Sequence, residues 1–183
     1  MNLPLHFCIY INSNCERFCP NCYYEQNKFE PMSVRLAERV GIWITDMLRD
    51  RNTPFFKVTF IGGEPTLNFE AMMTIINTVV ERKPVQAELA PRSGFHIFTN
   101  GDYFTTDMLN TLKKYHVYIL LNPTYDSLEG IENKMKFITE TRQGCSLAVA
   151  LDDQNLERLP ELAKLCLKYH GGIRPNRLYH GLS

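Results

Sequence analysis

Apolar residues recur along this chain in short dense runs, each followed by a stretch in which they return every three or four positions. The runs 5–11, 56–61, 95–98, 117–121 and 146–151 predict strands, and the first is so continuously apolar and aromatic that it reads as buried on both faces. The stretches after them carry Leu36, Val40, Trp43, Ile44 and Met47; Met72, Ile75, Ile76 and Val79; Met108, Leu112 and Tyr115; Leu128, Ile131, Met135 and Ile138; and Leu159, Leu162, Cys166 and Tyr169. That spacing is one face of a helix. Ser33, Asn68 and Thr105 stand where N-caps belong. A last run, 173–179, predicts a sixth strand that tolerates Pro175 only at an edge.

Strands alternating with helices imply parallel pairing, because each parallel neighbour is reached by a crossover and right-handed crossovers put the helices outside. Five such units and a final strand predict an α/β fold: an open partial (β/α)6 barrel of parallel strands, with 1–183 as one domain. A closed eight-unit barrel takes about 250 residues, more than the 183 present. The segment 81–93, with Pro84 and Pro91, is the longest predicted loop and is expected on the face away from the chemistry.

Charge narrows the function classes. Lys plus Arg and Asp plus Glu number 20 each, so there is no net charge and no basic block to follow a phosphate backbone, which argues against a nucleic-acid partner. No charged leader precedes a long apolar stretch, and no apolar run approaches the ~18 residues of a membrane span. The expectation is a cytoplasmic protein without membrane contact, in which six cysteines serve metal binding or catalysis rather than disulfides.

Three of those cysteines, Cys15, Cys19 and Cys22, fall in C-x3-C-x2-C spacing directly after the first strand. Four-iron clusters are held by cysteine sulfurs, and a loop offering three leaves one iron open to a small molecule. The competing reading is structural zinc, whose closed sites want four ligands in paired spacing. No second pair exists, and His6 and Cys8 lie within the strand. Cys8, Cys145 and Cys166 are scattered and read as buried structural thiols. His6, His96, His116, His170 and His180 show no ligand spacing and read as packing or surface residues.

The triple cysteine, Gly62-Gly63-Glu64-Pro65 after the second strand and Thr99-Asn100-Gly101 after the third together resemble the radical S-adenosylmethionine (SAM) enzymes, whose motifs occur in that order. The family usually has an aromatic residue just before the third cysteine; here it is Asn21, with Tyr23 and Tyr24 following. The resemblance implies a [4Fe–4S] cluster on Cys15, Cys19 and Cys22, with SAM as second cofactor. It implies SAM contacts from Gly62, Gly63 and Glu64, the last beside SAM's amino group, and from Thr99 and Asn100, which otherwise read as a turn.

Asn122 and Asp126 follow the fourth strand, where such enzymes often place Ser or Asp near the ribose. Arg174 and Arg177 are expected on one side of the last strand, where a guanidinium would hold SAM's carboxylate; the bland alternative is a surface ion pair. All these positions sit at C-terminal strand ends or on the last strand, the edge where parallel α/β folds build their sites.

The implied activity is reductive cleavage of SAM to a 5′-deoxyadenosyl radical that abstracts hydrogen, with no catalytic side-chain acid or base and a low-potential electron donor as partner. The motif set most resembles the peptide- and protein-modifying members, so a peptide or protein substrate is expected. Two alternatives stand beside it: an activase that installs a glycyl radical on a partner enzyme, and a metal- or partner-binding module without turnover. Only four residues follow position 179. The expectation is a core that lacks a C-terminal extension or is completed by a partner subunit.

Overall fold

The computed structural model describes residues 4–19, 22, 29–53, 55–84, 94–123, 125–151 and 153–177. Six strands, β1 (Leu5–Tyr10), β2 (Phe56–Ile61), β3 (Gly94–Thr99), β4 (Tyr118–Leu121), β5 (Cys145–Leu151) and β6 (Gly172–Arg177), form one sheet in the order of the chain. Every pairing is parallel. Five helices make the crossovers: α1 (Val34–Asp50), α2 (Phe69–Arg82), α3 (Thr106–Lys114), α4 (Leu128–Glu140) and α5 (Asp153–Lys168). Each crossover of one hand carries the sheet a step further round, which gives the open partial barrel expected of the pattern. No helix among the described residues is long and apolar enough to cross a membrane.

The core lies between the sheet's outer face and the helices. Phe7 and Ile9 of β1, Val58 and Phe60 of β2, Phe95 and Ile97 of β3 and Leu147 and Val149 of β5 meet Ile44, Leu48, Met72, Ile75, Leu109, Met135 and Leu162. Caps at Ser33, Thr105 and Ser127 begin α1, α3 and α4, each hydroxyl accepting a main-chain N–H three residues on. Four helices end alike. Asn52, His116, Arg142 and His170 take positive φ just beyond α1, α3, α4 and α5, the left-handed step that turns a finished helix toward the next strand.

The structure corrects several expectations. β1 stops at Tyr10, and it alternates: Phe7 and Ile9 are buried while His6, Cys8 and Tyr10 are exposed. The reason is its place at the sheet edge, with helices on one face only. Cys8 is therefore an exposed thiol, unlike Cys145 and Cys166, which are buried as expected. Trp43 is 52% exposed and meets the core through one edge against Phe7, with ring centroids 5.4 Å apart. Asn68 makes no capping bond; a 3₁₀ turn, Pro65–Asn68, precedes α2, and Asn68 Nδ2 donates instead to Ile11 O and Met32 O. α2 continues to Arg82, past the expected start of the loop. Residues 85–93 of that loop, Asn21, Tyr23, Tyr24, His180 and the last positions of the predicted sixth strand lie outside the described residues.

Candidate functional site

The cysteine loop leaves β1 and is fastened to the end of β2 by main chain. Gly63 N donates to Asn12 O at 3.0 Å and Glu64 N to Asn14 O at 2.7 Å. Such an approach leaves no room for side chains. A Cβ on Gly62, whose φ is +151°, would lie 2.3 Å from Asn12 O, and one on Gly63 would lie 2.3 Å from Asn14 O. The glycine pair is thus the bare surface on which the loop is laid.

Glu64 is 1% exposed. Its Oε1 accepts from Thr66 N at 3.1 Å, Thr66 Oγ1 at 2.6 Å and Thr99 Oγ1 at 2.8 Å, and its Oε2 accepts from Asn100 N at 2.8 Å. Its main-chain oxygen accepts from Asn12 Nδ2 at 3.0 Å. The carboxylate that reads from sequence as a partner for an ammonium is already engaged by four protein donors. It joins the 3₁₀ turn to the end of β3, while the residue's main-chain oxygen, through Asn12, adds the cysteine loop.

Thr99 and Asn100 extend that knot. Gly101 N donates to Thr99 Oγ1 and Asp102 N to Asn100 Oδ1, closing the turn after β3, while Asn122 N donates to Thr99 O and ties in the end of β4. The turn reading and the placement at the strand ends are both realised.

A second set of contacts holds the loop between its first two cysteines. The Arg17 guanidinium donates to both oxygens of Asp102, at 2.5 and 2.7 Å, and to Asp126 Oδ1 at 2.8 Å. Lys134 of α4 lies 2.5 Å from Asp102 and 3.0 Å from Asp126, and donates to Asn100 O at 3.1 Å. Burial pushes the Asp102 carboxyl up, but the bonds from Arg17 and Lys134 outweigh it and hold the group below its ordinary range. Next to it, Tyr103 OH donates to Glu16 Oε2 at 2.6 Å. Asp126, read from sequence toward a ribose, is occupied by these cations. Arg17 and Asp102 escaped the sequence reading because nothing in their local spacing announces a partner 85 residues away, and Lys134 because its bonds to Asp102 and Asn100 cross from α4 to the end of β3.

Cys15, Cys19 and Cys22 are gathered by this scaffold. Cys22 N donates to Cys19 O, closing the turn between them. Burial pushes all three thiols above their ordinary value; at Cys15 the charges of Glu64 and Cys22 add to this while Arg17 opposes it. Among the described residues no three His, Cys, Asp or Glu side chains are close enough together to hold a single metal ion. The three thiols do feel one another's charge. A four-iron cluster gives each thiolate its own iron, and this donor set fits it.

The last strand departs from expectation. The unbroken register Ala148↔Arg174 to Leu151↔Arg177 separates the two arginines by an odd number of residues, so the positions fall on opposite faces. The side chain of Arg177 lies outside the described residues. Arg174 sets its guanidinium 5.9 Å from the centre of the Tyr118 ring, away from the Glu64 knot.

Comparisons with known proteins follow the same lines. A family model described as a 4Fe-4S single cluster domain matches residues 6–139. Among solved structures, native anSMEcpe with bound AdoMet and the Kp18Cys peptide superposes at a TM-score of 0.79 with 14% identity, covering 97% of this chain and 52% of that one. The same protein with the Cp18Cys peptide gives 0.79 and 15%, covering 98% and 52%. Streptococcus suis SuiB bound to S-adenosylmethionine gives 0.71 and 19%, covering 100% and 41%. The chain thus spans about half, or less, of these structures' length. No curated protein matches the sequence significantly.

Proposed function

The chain belongs to the 4Fe-4S single cluster domain family, and on that premise we propose that it is the core of a radical SAM enzyme acting on a peptide or protein. The observation that carries this is the convergence, at one end of the sheet, of the three-cysteine loop, the glycine pair it rests on and the Glu64 knot. Solved structures of the same fold with bound AdoMet and with peptides support the choice of cofactor and substrate class.

In this reading Cys15, Cys19 and Cys22 hold a [4Fe–4S] cluster. When bound, the cluster and SAM supply a one-electron reduction, from a low-potential donor, that splits the sulfonium into methionine and a 5′-deoxyadenosyl radical able to take a hydrogen atom from substrate. The chain's own residues orient and enclose. Gly62 and Gly63 present main chain at close range, Thr99, Asn100 and Asn122 line the neighbouring strand ends, and Glu64 acts as a positioning residue that holds these parts in register. Arg17, locked by Asp102 and Asp126, keeps the cysteine loop over the strand ends.

Anaerobic reconstitution followed by chromatography of the SAM products tests the proposal. About four irons per chain and reductant-dependent 5′-deoxyadenosine are expected. Iron should be lost on Cys15→Ala, Cys19→Ala or Cys22→Ala and kept on Cys8→Ala, Cys145→Ala or Cys166→Ala. Iron retained after removal of all three loop cysteines, or iron-replete reduced protein that forms no 5′-deoxyadenosine, rejects it.

A further inference from the structure

The inner face of the sheet, opposite the helices, carries a polar band. Register and alternation place His6 (β1), Lys57 and Thr59 (β2), His96 (β3), Tyr118 (β4), Ser146 (β5) and Arg174 (β6) on this one face. Side-chain contacts join them in two groups, one on β1 and β2 and one from β3 to β6. His6 Nε2 and Thr59 Oγ1 are 2.9 Å apart, the His96 and Tyr118 rings 5.6 Å, Tyr118 OH is hydrogen-bonded to Ser146 Oγ, and Arg174 lies over the Tyr118 ring. Lys57 and Arg174, on strands four apart in the sheet, feel each other's charge across the hollow, and both act on His96.

This band contains no acid. None of the six strands has an Asp or Glu, and neither Lys57 nor Arg174 forms an ion pair among the described residues. Bringing two like charges together over a partly desolvated surface is unfavourable unless an anion joins them. Between them, His96 is 5% exposed, and its Nδ1 is buried without a hydrogen-bond partner. A buried polar atom left open in this way marks a place where a partner is missing. Burial, then Lys57, Arg174 and His6, bring the pKa of His96 down to about 4, so it is neutral at pH 7 and adds no third charge.

We infer that the inner-face band formed by Lys57, His96, Tyr118 and Arg174 is a subsite for a carboxylate of the substrate, a Glu or Asp side chain or a chain terminus. A planar guanidinium with its edge free above an aromatic ring suits a carboxylate, which it meets with two parallel N–H bonds. A phosphate is better served by helix N-termini. In this fold those follow the opposite, C-terminal ends of the strands, whereas Lys57, His96 and Tyr118 lie in the first halves of theirs. That the carboxylate belongs to the substrate rests on the function proposed above; that the band binds a carboxylate does not.

Calorimetry of the cluster-loaded chain, without SAM or reductant, with glutarate, inorganic phosphate and the neutral probe glutaramide provides the test. Glutarate is expected to bind saturably and phosphate more weakly, with no heat from glutaramide. Lys57→Gln and Arg174→Gln should each weaken glutarate roughly tenfold or more, with thermal melts showing that both variants remain folded. Absence of glutarate binding, equal binding by the double variant, or tighter binding of phosphate overturns the assignment. Because no SAM is present, a negative result leaves the cleavage reading standing, and a chain that fails to cleave SAM still reports on this subsite.

Discussion

The Thr99 hydroxyl donates to the Glu64 carboxylate at 2.8 Å, so the ends of β2 and β3 share one buried anion. Replacing Glu64 by Gln keeps the shape but turns one of two acceptors into a donor, which then faces an N–H or hydroxyl it cannot satisfy. We expect a loss of about 1–3 kcal/mol in stability, with iron content and SAM affinity falling together. Thr99→Val removes one donor to Glu64 and the acceptor of Gly101 N, and should cost about 1–2 kcal/mol, less than Glu64→Gln. Denaturant melts of both variants check the order. A Glu64→Gln protein with unchanged stability but lost SAM affinity would return the carboxylate to direct ligand contact.

Gly63→Ala places a methyl group 2.3 Å from Asn14 O, a main-chain atom that cannot step aside alone. The expected cost is roughly 2–4 kcal/mol, with iron lost more readily to a chelator because the cysteine loop is lifted from its seat. Gly130→Ala is the control, since its nearest neighbour is Ser127 Oγ at 3.3 Å. It should cost less than about 1 kcal/mol.

The Arg17–Asp102 pair makes the loop acid-sensitive. Asp102 titrates below its ordinary range in the folded chain, so its contribution is present above the unfolded carboxylate pKa and is lost as pH falls through the lower folded value. Wild-type stability should therefore decline below roughly pH 4, and Asp102→Asn should decline less over the same interval. Melting temperature measured from pH 6 to pH 3 on both proteins checks this. Parallel curves would show that the pair contributes nothing.

His116 and Arg142 adopt positive φ, which is strained for any side chain. His116→Gly and Arg142→Gly relieve that strain at the cost of a more flexible unfolded chain, and each should raise stability by about 0.5–1 kcal/mol. Chemical denaturation measures it; a decrease would mean that the side chains contribute more than the backbone loses.

Periodicity was enough to place all six strands and all five helices, because those features are local, but on α1 the buried stripe runs through Ala37, Gly41, Ile44 and Leu48 and leaves Leu36 and Trp43 exposed. It erred at β1. His6, Cys8 and Tyr10 are apolar or aromatic enough to pass for core, and only the sheet order shows that they line an open face. The glycine pair, Glu64 and the triple cysteine were legible as chemistry at the ends of strands. What Glu64 bonds to was not, since Thr99 and Asn100 stand 35 and 36 positions on and reach it only through the parallel crossover from β2 to β3. Arg174 and Arg177 show the reverse error, a proximity in sequence that strand alternation pulls apart.

The fastening of the cysteine loop carries an evolutionary consequence. Gly63 N to Asn12 O and Glu64 N to Asn14 O are bonds between atoms that every residue but proline carries. Substitution at position 14 therefore leaves the attachment intact, whereas substitution at position 62 or 63 removes the space it needs. Selection is relieved on one side of the contact and concentrated on the other, so the loop can diversify around its cysteines while two small residues hold its ancestry.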